Sequence, residues 1–264
     1  MLRNLTTVCS LPSGFSSKVS VVSNDAGEEY VLKRAKCIKT EDNTEPKEIS
    51  INRLLWKNNV EGINKMITYG FKEQKKTHSD LSEYWILFEK KEMDLYQFCC
   101  DCDIGETLAC LITEKLVKIL IDMHEKVKMI HMDLKLENIL VDRPTGVIEL
   151  CDFGQCVPSD LDSLAVEYIG TYLYNAPELF EDRCYPTKSI VWSLGMVVYL
   201  MLHSNEPWKR YTGQANVKDM YFDPKYSLEY REFVMCCLQP DVEKRIDLLN
   251  VMSLDWLAKK IREI

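Results

Sequence analysis

The sequence predicts an α+β chain with strands toward the N-terminus and helices through most of the remainder. Three observations carry that expectation. Val19 and Val21, then Tyr30 to Leu32, alternate around a turn at Asn24-Asp25-Ala26-Gly27, the pattern of two strands. From Thr107 to His124, apolar residues fall at Leu108, Leu111, Ile112, Leu116, Ile119, Leu120 and Met123, the spacing of a helix with one buried face. The longest apolar stretch, Ile190 to Leu202, is too short for the roughly 20 residues of a membrane-crossing helix and fits a buried central helix. With 264 residues and 46% hydrophobic content, the chain can bury a real core as one compact unit. No internal repeat, low-complexity run or long linker is present.

The remaining elements follow in order. The polar stretch Lys72 to Ser82 reads as a loop, and Trp85 to Glu89 as the strand after it. Ile139-Leu140-Val141 and Val147-Ile148-Glu149-Leu150 read as short strands joined by a turn at Arg143-Pro144-Thr145-Gly146. Leu248, Leu249, Met252, Trp256 and Leu257 fit a closing helix.

The chemistry is concentrated in His131-Met132-Asp133-Leu134-Lys135-Leu136-Glu137-Asn138, followed by Cys151-Asp152-Phe153-Gly154. A carboxylate, a lysine, an amide and a second carboxylate stand at the spacing that phosphoryl transfer requires, where positioning and charge neutralisation matter more than covalent chemistry. The run matches the catalytic loop H-R-D-x-x-x-x-N followed by D-F-G and resembles the eukaryotic protein-kinase superfamily. That resemblance implies a bilobal α+β fold, with an N-lobe over residues 1–90 and a C-lobe over 91–264. It implies that Asp133 accepts or orients the substrate hydroxyl proton and that Lys135 reaches the γ-phosphate. A lysine at that place resembles the serine/threonine branch. Asn138 and Asp152 are the implied metal ligands, hard oxygen donors suited to Mg²⁺ beside phosphate oxygens, with Mn²⁺ as the alternative.

Further resemblances extend over almost the whole chain. Tyr30-Val31-Leu32-Lys33 stands at the place of V-A-I-K, which makes Lys33 the implied ATP lysine. Its glutamate partner is expected on the next helix. Glu48 is chosen and Glu45 competes, because four residues on from Glu45 is apolar Ile49 and four on from Glu48 is Asn52. Aligning Val19 with the valine of G-x-G-x-x-G-x-V puts Pro12, Gly14 and Ser17 at the glycine positions, so one glycine of three survives. Gly14 and Ser17 are the implied phosphate-loop residues, with weaker nucleotide binding or a less mobile lid expected. Phe88 would stand behind the adenine pocket and Glu89 beside it. Lys90 and Lys91 would offer backbone groups to the adenine edge, and Asp94 would meet the ribose. Gly170-Thr171-Tyr172-Leu173-Tyr174-Asn175-Ala176-Pro177-Glu178 resembles G-T-x-x-Y-x-A-P-E, and Arg245 is the implied partner of Glu178.

Two positions depart from the pattern. Met132 replaces the arginine that reads a phosphate on the activation segment, so constitutive activity or control by a partner is expected. Ile190 stands two residues before Trp192, where the family carries an aspartate bonded to catalytic-loop N–H groups. Leaving such donors unpaired costs about 1–3 kcal/mol, and Ser189 or a water is the expected substitute.

The net charge of −8 argues against direct nucleic-acid binding as a main activity and suits a basic protein substrate. Eleven cysteines without a signal-peptide core suggest a reducing, intracellular setting and no membrane association. Cys99, Cys100, Cys102 and Cys110 lack a second pair at zinc-ligand spacing. The short chain and the H-M-D-L-K-L-E-N loop are also similar to the compact late kinases of baculoviruses. That narrower resemblance implies late viral expression in insect cells and a basic DNA-packaging protein as substrate.

Overall fold

The structure, a computed structural model, describes residues 4–12, 17–38, 45–72, 81–143, 145–161, 170–181, 183–203, 217 and 220–260. The chain divides into two compact units, one of 1–54 with 64–92 and one of 55–63 with 93–264. Residues 55–63 group with the second unit because they are tied there. Leu150 N–H donates to Gly62 O at 2.8 Å, and Lys126 Nζ donates to Asn59 O at 3.1 Å.

The first unit is a five-stranded antiparallel sheet with one helix. Its strands are β1 (Thr6–Leu11), β2 (Ser17–Ser23), β3 (Glu29–Ile38), β4 (Met66–Phe71) and β5 (Leu81–Glu89), and the helix α1 spans Lys47–Lys57. Their order is β1-β2-β3-β5-β4. The β2–β3 hairpin closes at the expected turn. Gly27 takes a φ of +80°, and the Asn24 side chain accepts from the Ala26 and Glu28 N–H groups at 3.0 Å. The Leu81–Ser82 end of the presumed loop instead begins β5, paired with Ile38 and Cys37.

Strand periodicity sorts the two faces. Ile86 and Phe88 pack with Tyr84 and with Ile49 of α1, backed by Val31 and Ala35. Lys33, between Val31 and Ala35 in the alternation, therefore faces α1. On the other face Val22, Leu32 and Leu87 form a second cluster with Leu5, Tyr30, Ile67 and Trp85.

The second unit is mainly helical. α2 (Leu95–Asp101) and α3 (Glu106–Val127) precede the catalytic segment, and α4 (Pro186–Leu202), α5 (Leu228–Cys237) and α6 (Asp255–Lys260) follow it. Short strands β6 (Met93–Asp94), β8 (Ile139–Asp142) and β9 (Val147–Leu150) form one sheet; β7 (Met129–Ile130) and β10 (Val157–Pro158) form another. α3 runs past the predicted ends and stops where Lys128 turns left-handed at φ 56°. Its buried stripe includes Ala109, Ile112, Leu116, Ile119, Leu120 and Met123, whereas Leu108 is 40% exposed. α4 is buried from Ser189 to Leu202, as its apolar run requires. A Cβ on Gly195 would stand 2.7 Å from Cys237 Cβ, so glycine lets α4 and α5 approach. Glu106 joins α3 to two later elements, accepting from Ser227 N–H at 2.8 Å and Trp256 Nε1–H at 2.9 Å. The expected closing helix is a 3₁₀ segment, Leu248–Ser253, followed by α6, and Leu249 is exposed. Among the described residues no helix is long and apolar enough to cross a membrane.

Candidate active site

In the first unit, Lys33 Nζ lies 2.8 Å from Glu48 Oε1, with side chains only 11% and 4% exposed. Glu48 sits in the first turn of α1, and one turn later Asn52 Nδ2 donates to the Glu48 carbonyl at 2.8 Å. Glu45, the competing glutamate, pairs instead with Arg53 at 3.0 Å. A solvent-poor lysine held by a carboxylate is a fixed positive charge, a group chemically suited to a phosphate.

The other residues assigned to nucleotide binding in this unit lie as follows. Ser17 opens β2 opposite Ala35. Gly14 lies outside the described residues. Phe88 is buried on β5 opposite Val31. The Glu89 backbone is pinned, its N–H donating to Lys65 O at 2.9 Å and its carbonyl accepting from Asn64 Nδ2 at 3.1 Å. Lys91 Nζ is 3.4 Å from Glu89 Oε1.

In the second unit, α3 ends and β7 delivers the catalytic segment. His131 is buried and its Nε2 bonds the Cys151 carbonyl at 2.9 Å. A carbonyl only accepts, so Nε2 carries the proton. The ring also meets Phe153 edge-on at 5.4 Å between centroids. Cys151 N–H in turn donates to Asn138 O at 3.0 Å. The two motifs are thereby bonded into one frame.

Asp133 is the centre of that frame. Its Oδ1 accepts from Thr171 Oγ1 at 2.6 Å. Its Oδ2 lies 3.1 Å from both Lys135 Nζ and Asn138 Nδ2. Lys135 Nζ also donates to Thr171 Oγ1 at 3.0 Å, closing a triangle. Asn138 Nδ2 makes a second bond to the Asp133 carbonyl at 2.8 Å, so the amide nitrogen is committed to the loop and its oxygen is the atom suited to a hard cation. Asp152 adopts φ 62° and ψ 73°, a left-handed conformation that is uncommon for a residue with a side chain. Asp94 caps α2, accepting from Gln97 N–H at 2.8 Å, while burial pushes its carboxyl up.

The G-T pair marks the position of Thr171, and its bond to Asp133 arises only from the fold. Gly170 places it: at φ +79°, a Cβ there would lie 2.6 Å from Met132 O and 2.5 Å from Asn175 Oδ1. We expect Gly170→Ala to displace Thr171 and lower turnover more than substrate affinity, which initial-rate kinetics of the two constants would check.

The departures from the motif resolve physically. Met132 is 4% exposed, an apolar packing residue where the family has a charge. Ser189, beside Ile190, gives its hydroxyl proton to Glu178 Oε1 at 2.8 Å. Glu178 and Arg245 form the expected pair, a two-bond contact at 2.6 and 2.8 Å with both residues buried.

A family model described as protein kinase domain matches residues 6–257. The chain is 30% identical over 181 residues to the zebrafish (Danio rerio) serine/threonine-protein kinase pim-2, covering 67% of this chain and 57% of that protein. It is 31% identical over 146 residues to the CBL-interacting protein kinase 25 of rice (Oryza sativa subsp. japonica), covering 51% and 28%. It is 27% identical over 202 residues to the Saccharomyces cerevisiae serine/threonine-protein kinase SKM1, covering 68% and 30%. The chain thus spans less than two thirds of each of these relatives. With nearly its whole length matched by the family model, and with the α+β architecture of that fold, the chain belongs to the protein kinase domain family.

Proposed function

We propose that the protein is a serine/threonine protein kinase that transfers the γ-phosphate of ATP to a protein hydroxyl. The observation that carries this reading is the Asp133 carboxylate, held by Thr171, Lys135 and Asn138 at 2.6 to 3.1 Å. Three donors fix its orientation, and a fixed carboxylate can align a hydroxyl and take its proton as the hydroxyl attacks. Lys135 supplies positive charge beside that oxygen. Lys33, oriented by Glu48, binds the α- and β-phosphates. Gly14 and Ser17 cover the phosphates, Lys90 and Lys91 offer backbone groups to adenine beside Phe88 and Glu89, and Asp94 meets the ribose.

Asn138 and Asp152 would hold Mg²⁺, and Mn²⁺ suits the same oxygen donors. The fit is chemical, an amide oxygen and a carboxylate presented from two segments bonded to each other through Cys151 N–H and Asn138 O. When bound, the cation neutralises charge on the phosphate oxygens.

The acceptor is proposed to be a basic protein, on the net charge of −8. The narrower reading as a late kinase of a baculovirus rests on the glycine-poor loop, the H-M-D-L-K-L-E-N loop and the C-D-F-G. The test is transfer of labelled γ-phosphate to a basic acceptor protein. Lys33→Met is expected to reduce it by orders of magnitude, because the buried Glu48 loses its cation and the phosphates lose theirs. Treatment of the natural chain with phosphatase is expected to leave its rate unchanged, because buried Met132 cannot read a phosphate.

A second reading, a nucleotide-binding scaffold without catalysis, is favoured by the glycine-poor loop and by Ile190. ATP binding without transfer across several acceptors would select it.

A further inference from the structure

The sheet face turned away from α1 carries a feature that phosphoryl transfer does not use. Its apolar end is the Val22–Leu32–Leu87 cluster. Two residues further along β3 the same face becomes basic. Arg34 stands opposite Lys18 of β2, and Lys36 follows Arg34 at the next position on that face. On β5, Trp85 stands opposite Arg34 and Glu83 opposite Lys36. Just after β4, Lys72 donates its N–H to Glu83 O and its Nζ to Glu83 Oε2 at 2.8 Å. Four cations, Lys18, Arg34, Lys36 and Lys72, thus share this end of the face with one carboxylate, Glu83. The Glu83 carboxyl is held below its usual range first by Lys72, then by Lys36 and Lys18.

A bland reading would make this a solvated face, and two facts oppose it. Like charges directly opposite on adjacent strands destabilise a sheet, and Lys18 and Arg34 are such a pair. Lysines that protect a sheet against pairing with other chains belong on its edges, but β2, β3 and β5 are interior strands of the β1-β2-β3-β5-β4 order. Lys18, Arg34 and Lys36 are exposed, and no described residue takes their side chains in a hydrogen bond or close ion pair. The patch is also an exception within the protein, whose net charge is −8.

We propose that this face binds an extended acidic segment of a partner protein. Arg34 and Lys36 lie two residues apart on one strand, roughly 6.6 Å, which is the spacing of alternate side chains in an extended peptide. Acidic residues at alternate positions would meet both, and Lys18 lies one strand spacing away, about 4.8 Å. Of the four, Lys72 is the one that Glu83 bonds directly, and Lys18, Arg34 and Lys36 face the incoming carboxylates. The overall negative charge disfavours a long polyanion such as nucleic acid, which feels the whole molecule, more than a short acidic segment, which feels the local patch. Trp85, the aromatic opposite Arg34, offers no free platform for a base on its inner side, because its ring lies where a Cβ on Gly70 would fall 2.5 Å from it.

The test uses the full chain and a short fluorescein-labelled peptide of alternating glutamate and serine, read by anisotropy. We expect saturable binding at low ionic strength that disappears at high salt. Neutralising Lys18→Gln, Arg34→Gln and Lys36→Gln together should weaken it at least about tenfold. Lys118→Gln with Lys126→Gln, on α3, should leave it unchanged, and both variants should keep the natural chain's phosphoryl transfer. On the natural chain, the peptide should also shield Lys18 and Lys36 from acetylation, a readout independent of how the variants fold. Absence of saturable binding at low salt, equal weakening by the α3 variant, or no shielding would overturn the proposal. So would oligothymidylate binding more tightly than the peptide through the same three residues, which would assign the face to nucleic acid.

Discussion

Asp133→Asn is expected to lower phosphoryl transfer by about 10²–10⁴-fold, the usual contribution of a positioned general base, with little change in folding. The argument is local. Asparagine keeps the shape of the side chain and one oxygen, so it can still accept from Thr171 Oγ1, which bonds Oδ1 at 2.6 Å. The second oxygen becomes an NH₂ that faces two donors, Lys135 Nζ and Asn138 Nδ2, both 3.1 Å away. The variant therefore loses proton-accepting capacity and unsettles the two residues assigned to phosphate and metal. Labelled-phosphate transfer measured beside thermal unfolding separates these effects. A variant that retains turnover within a few-fold would remove Asp133 from the proposed role and with it the main support for catalysis at this loop.

Arg245→Ala is expected to destabilise the second unit by about 3–5 kcal/mol, the cost of leaving a buried charge unpaired. Arg245 is 1% exposed and Glu178 7%. The guanidinium bonds both Glu178 oxygens and also donates to the carbonyls of Gln239 at 2.9 Å and Lys188 at 3.0 Å. It stacks over Trp192 at 5.1 Å from the ring centroid. Truncation strands all of these groups at once. Glu178→Leu combined with Arg245→Met should recover much of the loss, since an apolar pair of similar volume leaves no charge buried. The exposed pair Lys244–Asp241, with side chains 73% and 45% exposed, is a built-in contrast. Lys244→Ala should change stability by at most about 0.5 kcal/mol. Denaturant unfolding of the three variants would check the ordering, and an Arg245→Ala loss no larger than that of Lys244→Ala would show that the pair contributes little.

The degree to which the sequence was legible differs between elements for physical reasons. α4 was readable because a run of apolar residues buried on every side has no alternative to a core position. The β2–β3 hairpin was readable because Asn24 and Gly27 announce the turn by their own backbone preferences. α3 was readable in type but not in detail: Leu108 sits on the apolar spacing yet is exposed, since periodicity shows that a face exists and not how far its neighbours extend. The closing segment was misread as one helix because apolar spacing does not distinguish a 3₁₀ turn followed by a short helix from a continuous one.

At the candidate site, the sequence by itself determined which residue types stand at which spacing: Asp133, Lys135, Asn138 and Asp152 in one segment, and Lys33 on a strand. Those positions are legible because phosphoryl transfer constrains side-chain chemistry, and chemistry is written in residue identity. Only the tertiary structure decided which partners they take. Glu45 and Glu48 are equally good carboxylates three residues apart, and the rotation of α1 against the β3 face gives Lys33 to Glu48 and leaves Glu45 to Arg53. Ser189 and Thr171 are equally plain hydroxyls, and packing turns one to Glu178 and the other to Asp133. Spacing along the chain carries no record of those choices, because a hydrogen bond between Asp133 and Thr171 depends on where two distant segments are brought together, and the whole core determines that.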